Sequence, residues 1–235
     1  MSQKINKINA VLFDMDGTLL DTLADLANSM NKALSEMNYS KHPLESYKKF
    51  VGDGIEKLVE RVVPEKDKKQ KTINKLLARF RKLYSEHWAD ETKLYSGISA
   101  LLNSLDAFGI QCGIVTNKPH DFAMEMYDYF LSKWKFTKVL GATNKYAKKP
   151  APDMLIEVCK AMEVEPEHTL FLGDSDIDIF AAKRTGMVSV GAAWGFRGKH
   201  ELKKSKADFI IGNPLELIKI LKAMDNQFLS CIKKP

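Results

Sequence analysis

Cysteine is scarce: Cys112, Cys159 and Cys231 are the only three in 235 residues, widely spaced and without a Cys-x-x-Cys pair. That pattern excludes a zinc ribbon, a dithiol redox motif and a disulfide framework, so reduced thiols are expected. Long apolar runs are missing too. The best, Ala10 to Met15, is broken by Asp14 and closed by Asp16, far short of the roughly 18 residues a membrane helix requires. The N-terminal stretch Met1 to Asn9 carries two lysines but no apolar core and no small-residue cleavage site, so it does not read as a secretion signal and a cytoplasmic protein is expected. No Gly-x-Gly-x-x-Gly follows a strand candidate, which argues against dinucleotide binding. What is present, 45% hydrophobic and 28% charged residues, is the composition of a globular protein with room for a core and a smaller insert.

The net charge is +6, and most of it is local. Between Lys41 and Asp90 there are 13 Lys/Arg against 8 Asp/Glu, so five of the six surplus charges sit there. They are scattered at helical spacing without interleaved stacking aromatics, which reads as solvated helix faces and argues against nucleic acid. Attraction of a small anionic substrate is the functional alternative.

Short apolar runs at Ile8 to Phe13, Ile110 to Val115, Phe136 to Leu140, Thr169 to Leu172, Val188 to Ala192 and Asp208 to Ile211 have the look of buried parallel strands. Segments of three-four apolar spacing separate them, and strand and helix alternate from Gly97 onward. This predicts an α/β fold, a Rossmann-like doubly wound parallel sheet with helices on both faces. Between the first strand and that region no strand is evident. Leu23 to Met37, Ile55 to Val62 and most of Lys66 to Asp90 instead carry helical stripes, which predicts a helical cap domain over 21–90 inserted into a core of 1–20 and 91–235. Trp88 and Trp134 read as packing residues.

The strongest chemical signal is Asp14-Met15-Asp16-Gly17-Thr18 at the end of the first strand. Two carboxylates so close raise each other's pKa unless a cation neutralises them, and Mg²⁺ is the obvious one. Taken alone, an Asp-x-Asp-Gly is also ordinary turn chemistry. Other strands end in polar groups at the same predicted edge: Thr116-Asn117-Lys118, Asp174-Ser175-Asp176-Ile177-Asp178, and Lys149 before a helix. A nucleophile, a metal site, phosphoryl donors and a fixed ammonium are what phosphoryl transfer needs. The bland readings make Thr116 a helix N-cap, and Asp21 and Asp176 caps of the helices that follow them.

Asp14 to Thr18, Thr116, Lys149 and Gly173-Asp174 with Asp178 stand in the order of the four motifs of the haloacid dehalogenase superfamily, and the resemblance spans nearly the whole chain. Val51-Gly52-Asp53-Gly54, Thr116-Asn117-Lys118-Pro119, Lys149-Pro150-Ala151-Pro152 and Trp194-Gly195-Phe196-Arg197 resemble its phosphoglycolate phosphatase branch. The resemblance implies a Mg²⁺-dependent phosphomonoesterase acting on a small ester such as 2-phosphoglycolate, as a monomer or homodimer. In that reading Asp14 is the nucleophile, Asp16 the general acid and base, and Thr116 with the Asn117 N–H holds phosphoryl oxygens while Lys149 offsets charge. Asp14, the Asp16 carbonyl and Asp174 hold the metal, with Asp178 acting through water or by orienting ligands. The Gly52, Asp53 and Gly54 loop helps select the substrate; Glu56, Lys57 and Arg61 follow it, each more at home on a surface. The same motifs also serve pyrophosphate, nucleotide or sugar-phosphate phosphatases and mutases. A phospho-acceptor signalling domain shares the acidic residues, Thr and Lys, but lacks a helical insert and a second acid two residues beyond the nucleophile.

Overall fold

The computed structural model describes residues 7–232; the residues before Lys7, which belong to the stretch read above as carrying no secretion signal, and the Cys231 side chain lie outside what is described. A six-stranded sheet has the order β5-β4-β1-β6-β7-β8, formed by β1 (Ala10–Phe13), β4 (Gln111–Pro119), β5 (Lys138–Ala142), β6 (Thr169–Gly173), β7 (Val188–Ala192) and β8 (Phe209–Ile211). All its pairings are parallel. Each of the six apolar runs predicted above overlaps one of these strands.

Strand β1 shows why the sheet is double-faced. Val11 and Phe13 join one buried cluster with Leu101 and Leu105 of α5 (Ile98–Ala107), Phe122 and Met126 of α6 (His120–Met126) and Leu217 of α10 (Glu216–Ile232). Ala10 and Leu12 join the other, with Val158 of α7 (Asp153–Met162) and Ala181 of α8 (Asp176–Thr185). Consecutive side chains of a strand point to opposite faces, so a strand covered on both sides must be apolar throughout. Helix α9 (Gly198–Lys204) lies between β7 and β8 in the chain, and a π-helical turn, Tyr127–Leu131, continues α6. Among the described residues no helix is long and apolar enough to cross a membrane.

The cap consists of α1 (Leu23–Glu36), α2 (Leu44–Phe50), α3 (Ile55–Val62) and α4 (Gln70–His87). Two features at its base escape the sequence patterns. A two-stranded antiparallel ribbon joins β2 (Leu20–Asp21) to β3 (Lys93–Leu94), pairing Leu20 with Leu94 and Asp21 with Lys93. Asp21 therefore lies in a strand instead of capping α1; Thr22 holds the N-cap position and makes no side-chain cap bond. The second feature is Asp25, 1% exposed in the first turn of α1. Its carboxylate accepts the Glu91 N–H at 3.0 Å, the Thr92 N–H at 2.9 Å and the Thr92 hydroxyl at 2.7 Å. The two places where the chain crosses between core and cap are thereby pinned to each other.

Candidate active site

Register places the polar residues. Phe13 pairs with Ile114 on one side and Leu172 on the other, so β1, β4 and β6 reach the same edge level and deliver Asp14, Thr116 and Asp174 together. The chain must then turn at once. Gly17, at φ +85°, does so: its N–H bonds the Leu20 carbonyl at 2.8 Å. A Cβ on Gly17 would lie 2.5 Å from the Asp174 Oδ2, and one on Gly195 would lie 2.3 Å from the Asp174 Cβ. Glycines thus pinch the Asp174 carboxylate from two sides, while the Phe196 N–H donates to its Oδ2 at 2.6 Å.

Lys149 is the fixed cation. Its ammonium donates to Asp14 Oδ1 at 2.7 Å, Asp178 Oδ1 at 2.7 Å and the Val115 carbonyl at 2.9 Å. Its side chain is 2% exposed. The preceding residue, Lys148, points away to Glu56 at 2.6 Å. Asp178 divides its two oxygens: Oδ1 faces Lys149, and Oδ2 accepts the Ser175 N–H and hydroxyl at 3.1 and 2.7 Å. Ser175 and Asp178 together form a capping box on α8, so the cap expected of Asp176 belongs to them; Asp176 is simply the first helical residue. Thr116 lies within β4, not at a helix start.

The electrostatics are those of too many buried anions. Asp14, Asp174 and Asp178 each offer a carboxylate oxygen within 4.8 Å of the others; Lys149 pairs with Asp14 and Asp178, and the Arg197 charge acts on Asp174. Burial pushes Asp14 up to about 7, with repulsion from Asp178 and Asp16 adding to it and Lys149 opposing it. Burial also drives Asp174 well above the usual carboxylate range, reinforced by Asp178 and Asp14. Burial would lower the Lys149 ammonium, yet Asp14 and Asp178 hold it above its ordinary value. A cluster of carboxylates with all-oxygen donors, only partly compensated and shielded from water, fits a hard divalent cation such as Mg²⁺.

Above this edge lies a narrow cavity, walled on the core side by Asp14, Asp16, Thr116, Asn117 and Lys118 and on the cap side by Leu26, Val51, Gly52, Gly54, Ile55 and Leu58. Gly52 and Gly54 meet the cavity, but Asp53 does not; its carboxylate is bound by Arg61. Arg61 also donates to the Phe50 carbonyl at 2.9 Å, and Lys57 pairs with Glu60 at 2.6 Å. None of the three charged residues that follow the loop lines the cavity.

Two residues absent from the sequence-based site belong to it. Lys118, 5% exposed, lies 3.2 Å from both Asp16 oxygens and donates to the Tyr84 hydroxyl at 2.9 Å. Tyr84 comes from cap helix α4 and stacks on Phe80. The signal for Lys118 was its place two residues beyond Thr116, where the apolar run of β4 has already given way to Thr116 and Asn117. Tyr84 sat within a helical stripe that spacing assigns to packing. Trp88 and Trp134 do pack against the buried cluster.

A family model described as haloacid dehalogenase-like hydrolase matches residues 11–192. A phosphoglycolate phosphatase of Aquifex aeolicus is 30% identical over 222 residues, covering 94% of this chain and 99% of its own. One from Haemophilus influenzae is 32% identical over 215 residues, 89% of this chain and 96% of its own. Among solved structures, that of a predicted phosphoglycolate phosphatase from Haemophilus somnus superposes with a TM-score of 0.86 at 29% identity, over 92% of this chain and 99% of that one.

Proposed function

Because the chain belongs to the haloacid dehalogenase-like hydrolases, we propose that it is a Mg²⁺-dependent phosphomonoesterase for a small phosphorylated metabolite, 2-phosphoglycolate first among them. We take 21–90 as the cap domain and 1–20 with 91–235 as the core. The observation that carries the reading is the shared ammonium. Lys149 bridges Asp14 and Asp178 at 2.7 Å each, beside Asp174 and beneath a cavity that Thr116 and Asp16 also face.

In this reading an Asp14 carboxylate oxygen attacks phosphorus in line and the ester P–O bond breaks, giving an aspartyl-phosphate. Asp16 passes a proton to the departing alkoxide oxygen. It then takes a proton from water as the water oxygen attacks phosphorus, the Asp14–phosphorus bond breaks and phosphate leaves. Thr116 and the Asn117 N–H orient the phosphoryl oxygens, and Lys149 holds Asp14 in place while offsetting charge that builds in the transition state. The Asp14 and Asp174 carboxylates with the Asp16 carbonyl would hold Mg²⁺, and Asp178 orients Lys149 beside them. Bound there, the metal would supply positive charge against the phosphoryl group and keep the carboxylates ionised.

The names of the relatives support 2-phosphoglycolate. The test is phosphate release from a panel of small phosphate esters and pyrophosphate with Mg²⁺. A preference for 2-phosphoglycolate, abolished by chelating the metal and restored by Mg²⁺, is expected. Preference for another ester replaces the substrate, and no turnover of any ester overturns the reading.

A further inference from the structure

We propose that the Asn117 side chain is a positioning residue that couples closure of the cap to the placement of Lys149, an inference that rests on Lys149 serving Asp14 as described above. Asn117 is 4% exposed, and its carboxamide is fully engaged. Its Oδ1 accepts the Lys149 N–H at 2.9 Å. Its Nδ2 donates to the Lys149 carbonyl at 2.9 Å and to the Gly52 carbonyl of the cap loop at 3.1 Å. An amide has two N–H donors in one plane with its carbonyl, so here one side chain grips both main-chain polar groups of Lys149 and uses its remaining donor on the cap. Among the described residues no other side chain bonds both the cap loop and Lys149.

The loop is shaped for that approach. Gly52 and Gly54 have φ of +123° and +91°. A Cβ on Gly54 would stand 3.3 Å from the Asn117 carbonyl and 2.9 Å from the Lys148 Nζ. Glycine permits this backbone at little cost, whereas a side chain would be both strained and crowded. Core residue Arg197 grips the preceding carbonyl, that of Val51, at 2.9 Å, yet it makes no bond to Lys149 or Asn117. Two core side chains therefore hold consecutive cap carbonyls, and only one of them, Asn117, continues to the main chain of Lys149. When the cap lifts, Nδ2 exchanges the Gly52 carbonyl for water, and the amide plane that orients Lys149 loses one of its three fixed bonds.

Arg197→Met separates the two roles, because it loosens the cap loop without touching the Asn117–Lys149 bonds. Hydrogen exchange would be followed at the Leu58 amide, bonded to the Gly54 carbonyl, and at the Lys149 amide, in four chains: unsubstituted, Arg197→Met, Asn117→Ala and the double variant. Expected is about tenfold faster exchange at both amides in Arg197→Met, from loss of one charge-assisted bond. In the Asn117→Ala background the same change should quicken exchange at Leu58 alone. Asn117→Ala should also lower kcat by about tenfold to a hundredfold through misplacement of Lys149. A Lys149 amide that ignores Arg197→Met overturns the coupling, and that arm needs no Asn117 variant to fold. Coupled exchange in a protein that hydrolyses no ester leaves the coupling standing and removes the phosphatase reading. Hydrolysis with uncoupled exchange does the reverse.

Discussion

The two walls of the cavity handle charge in opposite ways. On the core side Asp14, Asp174, Asp178 and Lys149 are 2 to 7% exposed, packed at two strand ends, at the start of α8 and in the loop before α7. On the cap side, five of the six surplus positive charges of the chain supply no cation to the cavity. Lys48 pairs with Glu45, Lys57 with Glu60, Lys68 with Glu65 and Arg79 with Glu36, all on the surface. Charge that is costly to bury marks the chemistry, and charge that is merely abundant does not. The core supplies reactivity, and the cap supplies an apolar outline with two main-chain carbonyls.

Breaking the core wall should have the largest effect. Asp14→Asn should lower hydrolysis by on the order of 10⁴ or more, since it removes the nucleophile of the proposed mechanism, and phosphate release measures it. The same change should stabilise the metal-free protein. Native Asp14 keeps its proton up to about 7, whereas the unfolded chain loses it near 3.8, so this group's contribution to stability declines as pH rises through that window and stays low above it. The variant lacks the decline, and its advantage in thermal unfolding should grow from pH 4 to pH 8. Equal melting at both ends would break the argument that Asp14 is electrostatically strained.

Lys149→Met comes next. Turnover should fall by about 10² to 10³, and the metal-free fold should lose about 3 kcal/mol or more, because the buried Asp14 and Asp178 carboxylates lose their shared partner. Denaturant unfolding with and without Mg²⁺ reads the loss, and added metal should recover part of it. On the cap wall, Ile55→Ala should alter selection instead of reactivity. The lost methyl groups are expected to cost about tenfold in kcat/KM for a two-carbon ester and to narrow the gap to bulkier ones; an unchanged ratio would mean the cap does not set the outline. Lys57→Ala should be nearly silent, within about 0.5 kcal/mol in stability and with kcat/KM unchanged, because its partner Glu60 is on the surface. A large loss there would restore the cap cations as recognition groups.

The core was legible in the sequence for a physical reason. A strand buried on both faces has to be a short apolar run, so a carboxylate or threonine at its end stands out in the sequence. Lys149 stands before Pro150 and Pro152 in the motif that carries the family resemblance, and it does reach Asp14. What spacing missed was set by long-range pairing. The ribbon strands β2 and β3 are two residues each, too short to show a period. The choice of Ser175 and Asp178 over Asp176 as the cap depends on which carboxylate also faces Lys149. The turning of Asp53 to Arg61, away from the cavity, depends on where α3 lies, and the Tyr84 hydroxyl belongs to the site only because α4 packs over Lys118.

The Asp25 staple carries a mechanical consequence. A polypeptide that passes from one body to another and back has two tethers, and two independent tethers let the bodies slide, twist and part. Asp25, sitting on the outgoing tether, holds the Glu91 and Thr92 amides of the returning one, beside the Leu20 to Leu94 pairing. Two tethers fastened at one point act as a single pivot. Motion of the cap is then reduced to a swing about that pin, and the glycine loop at its far side travels along one arc that ends on Asn117.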